Sequence, residues 1–168
     1  MNKSKQISLG AMVTIFSIIL MYMTSIIPTA KIFLVSLSSF LTAMLIIEVG
    51  ISTAITSFLA TSILGFILVP NKLLLIPYIT FLGYYAVVKL YIEKLDKLIL
   101  EWIIKIVIFN MALYINYILL INIFSQELSL PFSLVFVVLG LQVAFIVYDY
   151  TFSMFIQYYN NRLRRYVK

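Results

Sequence analysis

The chain has 168 residues, of which 64% are hydrophobic and 11% charged, with a formal net charge of +6 and a mean hydropathy of +1.12. A soluble domain of this length has about 45–50% apolar and about 25% charged residues, so this chain has too few polar side chains to cover a water-facing surface. The sequence contains no cysteine and no histidine, which excludes disulfides, thiolate nucleophiles and imidazole chemistry. The composition therefore predicts an integral membrane protein and argues against an enzyme.

Six apolar segments are each long enough to cross a bilayer as a helix, which takes roughly 20 residues. The first follows the basic start MNKSKQ, and it is too long for a signal peptide and has no small-residue cleavage site, so we expect it to remain as a helix. The six helices are predicted at residues 7–27, 32–47, 49–69, 73–90, 98–124 and 132–157, within one transmembrane domain covering 1–168. Because residues 32–69 are almost continuously apolar, a single bent or re-entrant element is the alternative for the second and third helices.

Positive charges are distributed unequally between the two sides that six crossings create. One side receives ten of the twelve Lys and Arg residues, and the other receives only Lys31 and Lys72. Loops rich in Lys and Arg stay in the cytoplasm, so this distribution predicts cytoplasmic termini. The cluster Arg162, Arg164 and Arg165 after the last helix is an ordinary topology anchor, and no nucleic-acid partner is expected.

Small residues recur every four positions on the third helix, at Thr53, Ser57, Thr61 and Gly65. Membrane helices gain little from burying apolar surface against one another, so close backbone approach through small residues holds them together. Shorter rows of the same kind are Gly10 with Thr14 on the first helix and Ser39 with Ala43 on the second. These rows predict packing seams, either within the bundle or against a partner subunit.

Polar and aromatic residues form one stripe on each of the last three helices. Helical spacing puts three sets on common faces: Tyr78, Tyr85 and Lys89; Asn110, Tyr114 and Tyr117; Gln142, Asp149 and Ser153. Polar side chains facing lipid are costly, so these stripes are expected to face the interior.

Two interpretations of the stripes stay open. One is hydrogen bonding between helices, for example Asp149 with Lys89. The other is a polar pocket with aromatic walls for a small ligand, in which we expect the residues of the middle and outer depth to bind and Lys89, Asp149 and Ser153 to be structural. Candidates at the outer mouth are Lys31, Asn71, Lys72, Gln126 and Glu127; Lys72 would bind a carboxylate or phosphate, or extend to lipid headgroups.

In its layout the chain resembles the substrate-binding S components of energy-coupling factor (ECF) transporters. The resemblance covers most of the chain and is carried by SLGAMVTIFSIIL on the first helix, IIEVGIST between the second and third, the outer turn LVPNKLLLIPY, and the charged connector before the fifth helix. It implies a subunit of the prokaryotic plasma membrane that captures a small ligand from outside and works with a transmembrane coupling subunit and two ATPase subunits.

The resemblance also implies roles for particular residues. Near substrate it would put Asn71, Lys72, Tyr78, Asn110, Tyr114, Tyr117, Glu127 and Gln142. The Gly10 and Thr14 end of the first helix would dock the coupling subunit, in place of the two alanines four apart that the family often has, since here Ala11 is followed by Ile15.

The tyrosines suit an aromatic or heterocyclic vitamin or its precursor, whereas cobalt and nickel are unsuited to a chain without histidine or thiolate ligands. No cofactor is expected. The sequence has no GxxxxGK[ST] phosphate loop, so ATP hydrolysis would take place on the partners. The alternative function is a non-transporting scaffold of the cell envelope, of the rod-shape-determining type, which would use the packing seams without a ligand pocket.

Overall fold

The computed structural model describes residues 3–124 and 134–163, and every element in these two ranges is helical. The α-helices within them are α1 (Lys3–Ile26), α2 (Lys31–Glu48), α3 (Ile51–Leu68), α4 (Lys72–Pro77), α5 (Gly83–Ile92), α6 (Leu98–Phe124) and α7 (Leu134–Tyr158). Six helical stretches of the described residues are long and apolar enough to cross a membrane, and the fourth of them, Lys72–Leu95, contains α4 and α5. The prediction of an all-α chain with six such helices is confirmed for this part of the chain.

The helices α2 and α3 are separated by a tight turn at Val49 and Gly50. The N–H groups of these two residues donate to the Leu45 carbonyl at 2.9 and 3.2 Å, which closes the end of α2. Gly50 has φ 119° and ψ 171°, a backbone conformation that is almost restricted to glycine. The chain therefore forms two helices here, and the alternative of one bent element is wrong.

The chain divides into two compact units, Met1–Lys105 and Ile106–Lys168. In the first unit, α1 packs against α2 and α3, and α2 packs against α5. Its interior contains two apolar clusters of buried side chains: Met21, Val35, Val69, Leu75 and Tyr78 form one, and Val13, Leu45 and Ala54 form the other.

The helices α1 and α3 meet along the predicted seam of small residues. The hydroxyls of Thr14 and Ser57 are 2.9 Å apart, and a Cβ added at Gly10 would lie 3.1 Å from the Thr53 side chain. In each pair the two residues are 43 positions apart in the chain. Because this offset stays constant along the contact, α1 and α3 run in the same direction. The small residues allow the close approach that holds this helix pair together.

The fourth spanning stretch contains a π-helical turn, Tyr78–Leu82, between α4 and α5. Pro77 precedes it and has no N–H to continue the regular α-helical ladder, and the Gly83 N–H donates to the Tyr78 carbonyl five residues back. A Cβ at Gly83 would lie 2.5 Å from the Phe58 ring. Glycine at this position therefore allows the stretch to pack closely against α3.

The second unit contains most of α6 and the described part of α7. The rings of Phe109 and Phe145 stack with their centroids 4.4 Å apart and an angle of 9° between their planes. Most other apolar side chains of these helices are exposed. The predicted start of the last helix at residue 132 lies outside the described residues.

Replacing Gly50 with alanine is expected to lower the free energy of unfolding by about 1–3 kcal/mol, because alanine is strained at this positive φ. A Cβ added at position 50 would meet no atom within 4 Å, so the cost comes from the backbone alone. Gly140→Ala is the control, since its Cβ also meets nothing and its helical φ should make alanine neutral or stabilising by about 0.5–1 kcal/mol. Unfolding in a detergent series measures both variants. Equal stability of the two variants would show that the turn does not require glycine.

Candidate functional site

At the end of α3, Lys72 binds the carbonyl groups that the helix leaves unpaired. Its Nζ donates to the Val69 carbonyl at 2.8 Å and also to the Phe66 carbonyl, and it lies 5.3 Å from the centre of the Phe66 ring. A cation at this end of a helix is stabilised by the helix dipole. Asn71 precedes α4 and makes no side-chain capping hydrogen bond. Lys72 thus has a structural role in this turn, and ligand binding by either residue stays a prediction.

Tyr78 lies inside the first unit. Its ring belongs to the apolar cluster around Met21 and Val35, and its hydroxyl is near the hydroxyls of Thr42 and Thr61. The side chain therefore contacts three other helices of its own unit.

Asn110 and Gln142 are brought together in the second unit. Gln142 Nε2 donates to Asn110 Oδ1 at 2.8 Å, and Asn110 Nδ2 donates to the Ile106 carbonyl at 2.8 Å. The stripes predicted on α6 and α7 therefore meet in a hydrogen bond between the two helices. The amide pair also gives this face of the unit fixed polar groups, because each amide holds the other in place.

The two tyrosines of the α6 stripe are exposed. Tyr114 is 66% exposed and Tyr117 is 41% exposed. Within residues 3–124 and 134–163, neither phenol hydroxyl takes part in a hydrogen bond. Tyr114 and Tyr117 follow Asn110 by four and seven residues on α6. At a rise of about 1.5 Å per residue, both lie within about 10 Å of Asn110 along the helix axis. Their hydroxyls are available to a ligand or to lipid headgroups.

Two buried lysines share one exposed carboxylate in the first unit, where α5 continues into the connector before α6. Glu93 Oε1 is 2.8 Å from Lys89 Nζ and 3.1 Å from Lys105 Nζ. Lys89 is 1% exposed and Lys105 is 4% exposed. Because lysine is almost never buried unpaired, this shared carboxylate explains how two ammonium groups are held inside. Asp149 is also buried, and its predicted pairing with Lys89 stays a prediction.

Gly10 and Thr14, the residues predicted to dock a partner subunit, are both buried in the structure. Thr14 donates to the Gly10 carbonyl at 2.9 Å and contacts Ser57 of α3. Their small surfaces are therefore occupied by packing within the first unit. Docking at this end of α1 stays a prediction, and any partner would contact the exposed side chains beside them.

Glu127 and Gln126 lie outside the described residues. In the part of the chain that the structure describes, no group of three or more acidic, histidine or cysteine residues could hold a metal ion.

The sequence analysis missed two features of the first unit. One is the pairing of Glu93, which is 39% exposed, with the buried Lys89 and Lys105. The other is the burial of Ser17, whose spacing of three from Thr14 and seven from Gly10 places it on the same face of α1. That spacing was the available signal for Ser17.

Comparison of the chain with protein-family models, with curated proteins and with solved structures finds no match. The functional argument therefore depends on the chain's own residues.

Replacing Asn110 and Gln142 with leucine, singly and together, tests the hydrogen bond between α6 and α7. Hydrogen bonds between membrane helices average about 0.6 kcal/mol and reach about 1.7 kcal/mol in double-mutant cycles, so we expect a coupling energy in this range. Thermal unfolding of detergent-solubilised protein measures it. The control pairs Asn110→Leu with Thr151→Ala, because among the described residues Thr151 bonds within its own helix alone, to the Val147 carbonyl. A coupling no larger than that of the control pair would contradict the predicted contribution of this contact.

Proposed function

We propose that this protein is the membrane-embedded substrate-binding subunit of an ATP-driven uptake transporter for a vitamin or similar micronutrient. The observation that carries the proposal is that two phenol groups of α6, Tyr114 and Tyr117, make no hydrogen bond to any described residue. They lie on the same helix as Asn110, which is paired with Gln142 of α7. The pair is already internally bonded, whereas the phenols are exposed and chemically available.

This combination suits a small aromatic or heterocyclic ligand. Tyrosine rings offer flat faces for stacking, and their hydroxyls both donate and accept hydrogen bonds. The amides next to them have further acceptor and donor capacity beyond their mutual bond. Rigid aromatic walls with a few fixed polar groups are typical of small-molecule sites. Asn71 and Glu127 stay binding residues predicted from the sequence alone.

The distribution of basic residues supports uptake rather than export. Cytoplasmic termini and a cytoplasmic connector between α5 and α6 would direct the Tyr117 end of α6 toward the outside. On this topology the two phenols lie in the outer half of the membrane, where a ligand arriving from outside would meet them. The location is the plasma membrane of a prokaryotic cell.

Energy for transport would come from partners, because the sequence has no phosphate-binding loop of its own. We assign the docking of a transmembrane coupling subunit to the exposed face of α1, beside Gly10 and Thr14. Met12, Ile15 and Phe16 on this face are each about half exposed. Two ATPase subunits would bind the coupling subunit from the cytoplasm, as in the ECF transporters that the sequence resembles.

Native mass spectrometry of protein purified gently from its own membranes tests the proposal. We expect a retained vitamin-sized ligand, a co-purifying ATPase pair with a second membrane subunit, or both. Tyr114→Phe and Tyr117→Phe should each lower the affinity for the ligand about 2- to 10-fold, which is the effect of losing one hydrogen bond. Folding should be unaffected, because these hydroxyls bond to no described residue. Tyr150→Phe is the matched control, since this exposed tyrosine lies on α7 outside the predicted site.

Two results would count against this function. One is an affinity that Tyr114→Phe and Tyr117→Phe change no more than Tyr150→Phe does. The other is a protein without ligand that co-purifies with cell-wall or division components, which would favour the scaffold alternative.

A further inference from the structure

An open apolar groove lies on the surface of the first unit, between α3 and the π-helical turn of the fourth spanning stretch. Its volume is about 480 Å³, and the residues that line it are Ser62, Ile63, Phe66, Ile67 and Ile79. Ile63, Phe66 and Ile67 are more than half exposed. The Ser62 hydroxyl already donates to the Phe58 carbonyl at 2.8 Å. The groove therefore offers an occupant mainly apolar contacts.

The ammonium group of Lys72 lies at one end of this groove. Its Nζ is 5.3 Å from the centre of the Phe66 ring, and this ring is part of the groove wall. The Nζ donates to the carbonyls of Phe66 and Val69. Because a lysine ammonium has three N–H groups, one N–H of Lys72 is left for a further acceptor.

The positive charge of Lys72 is only partly compensated. Within residues 3–124 and 134–163, no acidic side chain lies at salt-bridge distance from Lys72. The carbonyl end of α3 supplies a partial negative charge of about half an elementary charge. A net positive charge therefore remains at this end of the groove, and an anion would complete its neutralisation.

The groove leads from this charged turn into the apolar part of the chain. The spanning stretches Ile51–Leu68 and Lys72–Leu95 are joined here, so Lys72 lies where both would leave the hydrocarbon layer. At about 1.5 Å per residue, Ser62 lies about 9 Å before the end of α3, and Ile79 lies about 10 Å beyond Lys72. A phospholipid has the same order of groups, since its phosphate lies at the membrane interface and its acyl chains extend into the hydrocarbon layer.

We propose that this groove binds one acyl chain of an anionic phospholipid, whose phosphate pairs with Lys72. Lysines at the membrane surface attract anionic headgroups, and the isoleucine side chains of the groove supply dispersion contacts along the chain. A free phosphate ion would gain nothing from these apolar contacts, so the groove favours the lipid over a soluble anion. The site is independent of the proposed transport function.

Native mass spectrometry of delipidated protein in detergent, titrated with phosphatidylglycerol, tests the charged end of the site. We expect Lys72→Gln to lower the affinity for the first bound lipid about 5-fold, the effect of one lysine on an anionic lipid. Lys72→Arg keeps the charge and should retain most of the affinity. The matched control is Lys97→Gln, which removes one charge at an exposed position of the connector before α6.

A second pair of variants tests the apolar part of the site and leaves every charge in place. Ile67→Trp fills the groove with a larger side chain, so it should also lower the affinity for phosphatidylglycerol about 5-fold or more, like the loss of the lysine. The control is Ile55→Trp, because Ile55 is an exposed residue of the same helix that lies about 18 Å from Ile67 along the axis. This pair decides the question alone if Lys72→Gln does not fold.

Three results would overturn the proposal. The first is an affinity for phosphatidylglycerol that Ile67→Trp changes no more than Ile55→Trp does, or that folded Lys72→Gln changes no more than Lys97→Gln does. The second is competition by glycerol phosphate at the same concentration as the lipid, which would identify a site for the anion alone. The third is a lipid-free dimer that Ile67→Trp dissociates, which would show that a second copy of the chain occupies the groove.

Discussion

The constraint on which this structure depends is that polar groups within an apolar chain must find their partners inside the protein. Lipid tails offer no hydrogen bonds, so each polar group without a partner destabilises the folded protein. The chain meets this constraint locally where Thr14 donates to the Gly10 carbonyl and between helices where Gln142 donates to Asn110. For charged groups, a single carboxylate pairs with two ammonium groups, because Glu93 lies beside two buried lysines. The contact between Asn110 and Gln142 also fixes how α6 and α7 meet.

The same constraint separates structural polar groups from groups available for function. Lys72 was a candidate for ligand binding, yet its ammonium binds carbonyls at the end of α3, as the helix dipole favours. Tyr114 and Tyr117 differ, because their hydroxyls bond to no described residue and their rings are exposed. Free polar groups on a membrane helix need either an aqueous interface or a ligand. This difference is the physical basis for assigning ligand capture to α6 rather than to the turn between α3 and α4.

The number and type of helices could be predicted from sequence because hydropathy and helix length are local properties. Spacing also predicted the small-residue seam, since Ser57 follows Thr53 by four positions and both face α1. The pairing of Glu93 with two lysines could not be predicted, because Glu93 and Lys105 meet only after the chain turns between α5 and α6. Nor could the burial of Ser17, whose hydroxyl has no hydrogen-bond partner among the described residues. Local pattern thus predicts elements and faces, while partners depend on tertiary contacts. The part of the predicted site that rests on Glu127 lies outside the described residues.

The account depends most on six crossings with the turn before α4 outside and the connector before α6 inside. The natural chain contains no cysteine, so single cysteines can be introduced without a background signal. Pro70→Cys and Lys97→Cys place a thiol at two exposed positions, which the predicted topology puts on opposite sides of the membrane. A membrane-impermeant maleimide added to intact cells should label the first variant and label the second only after permeabilisation. Labelling of both from the same side would contradict the predicted topology and with it the capture of a ligand from outside.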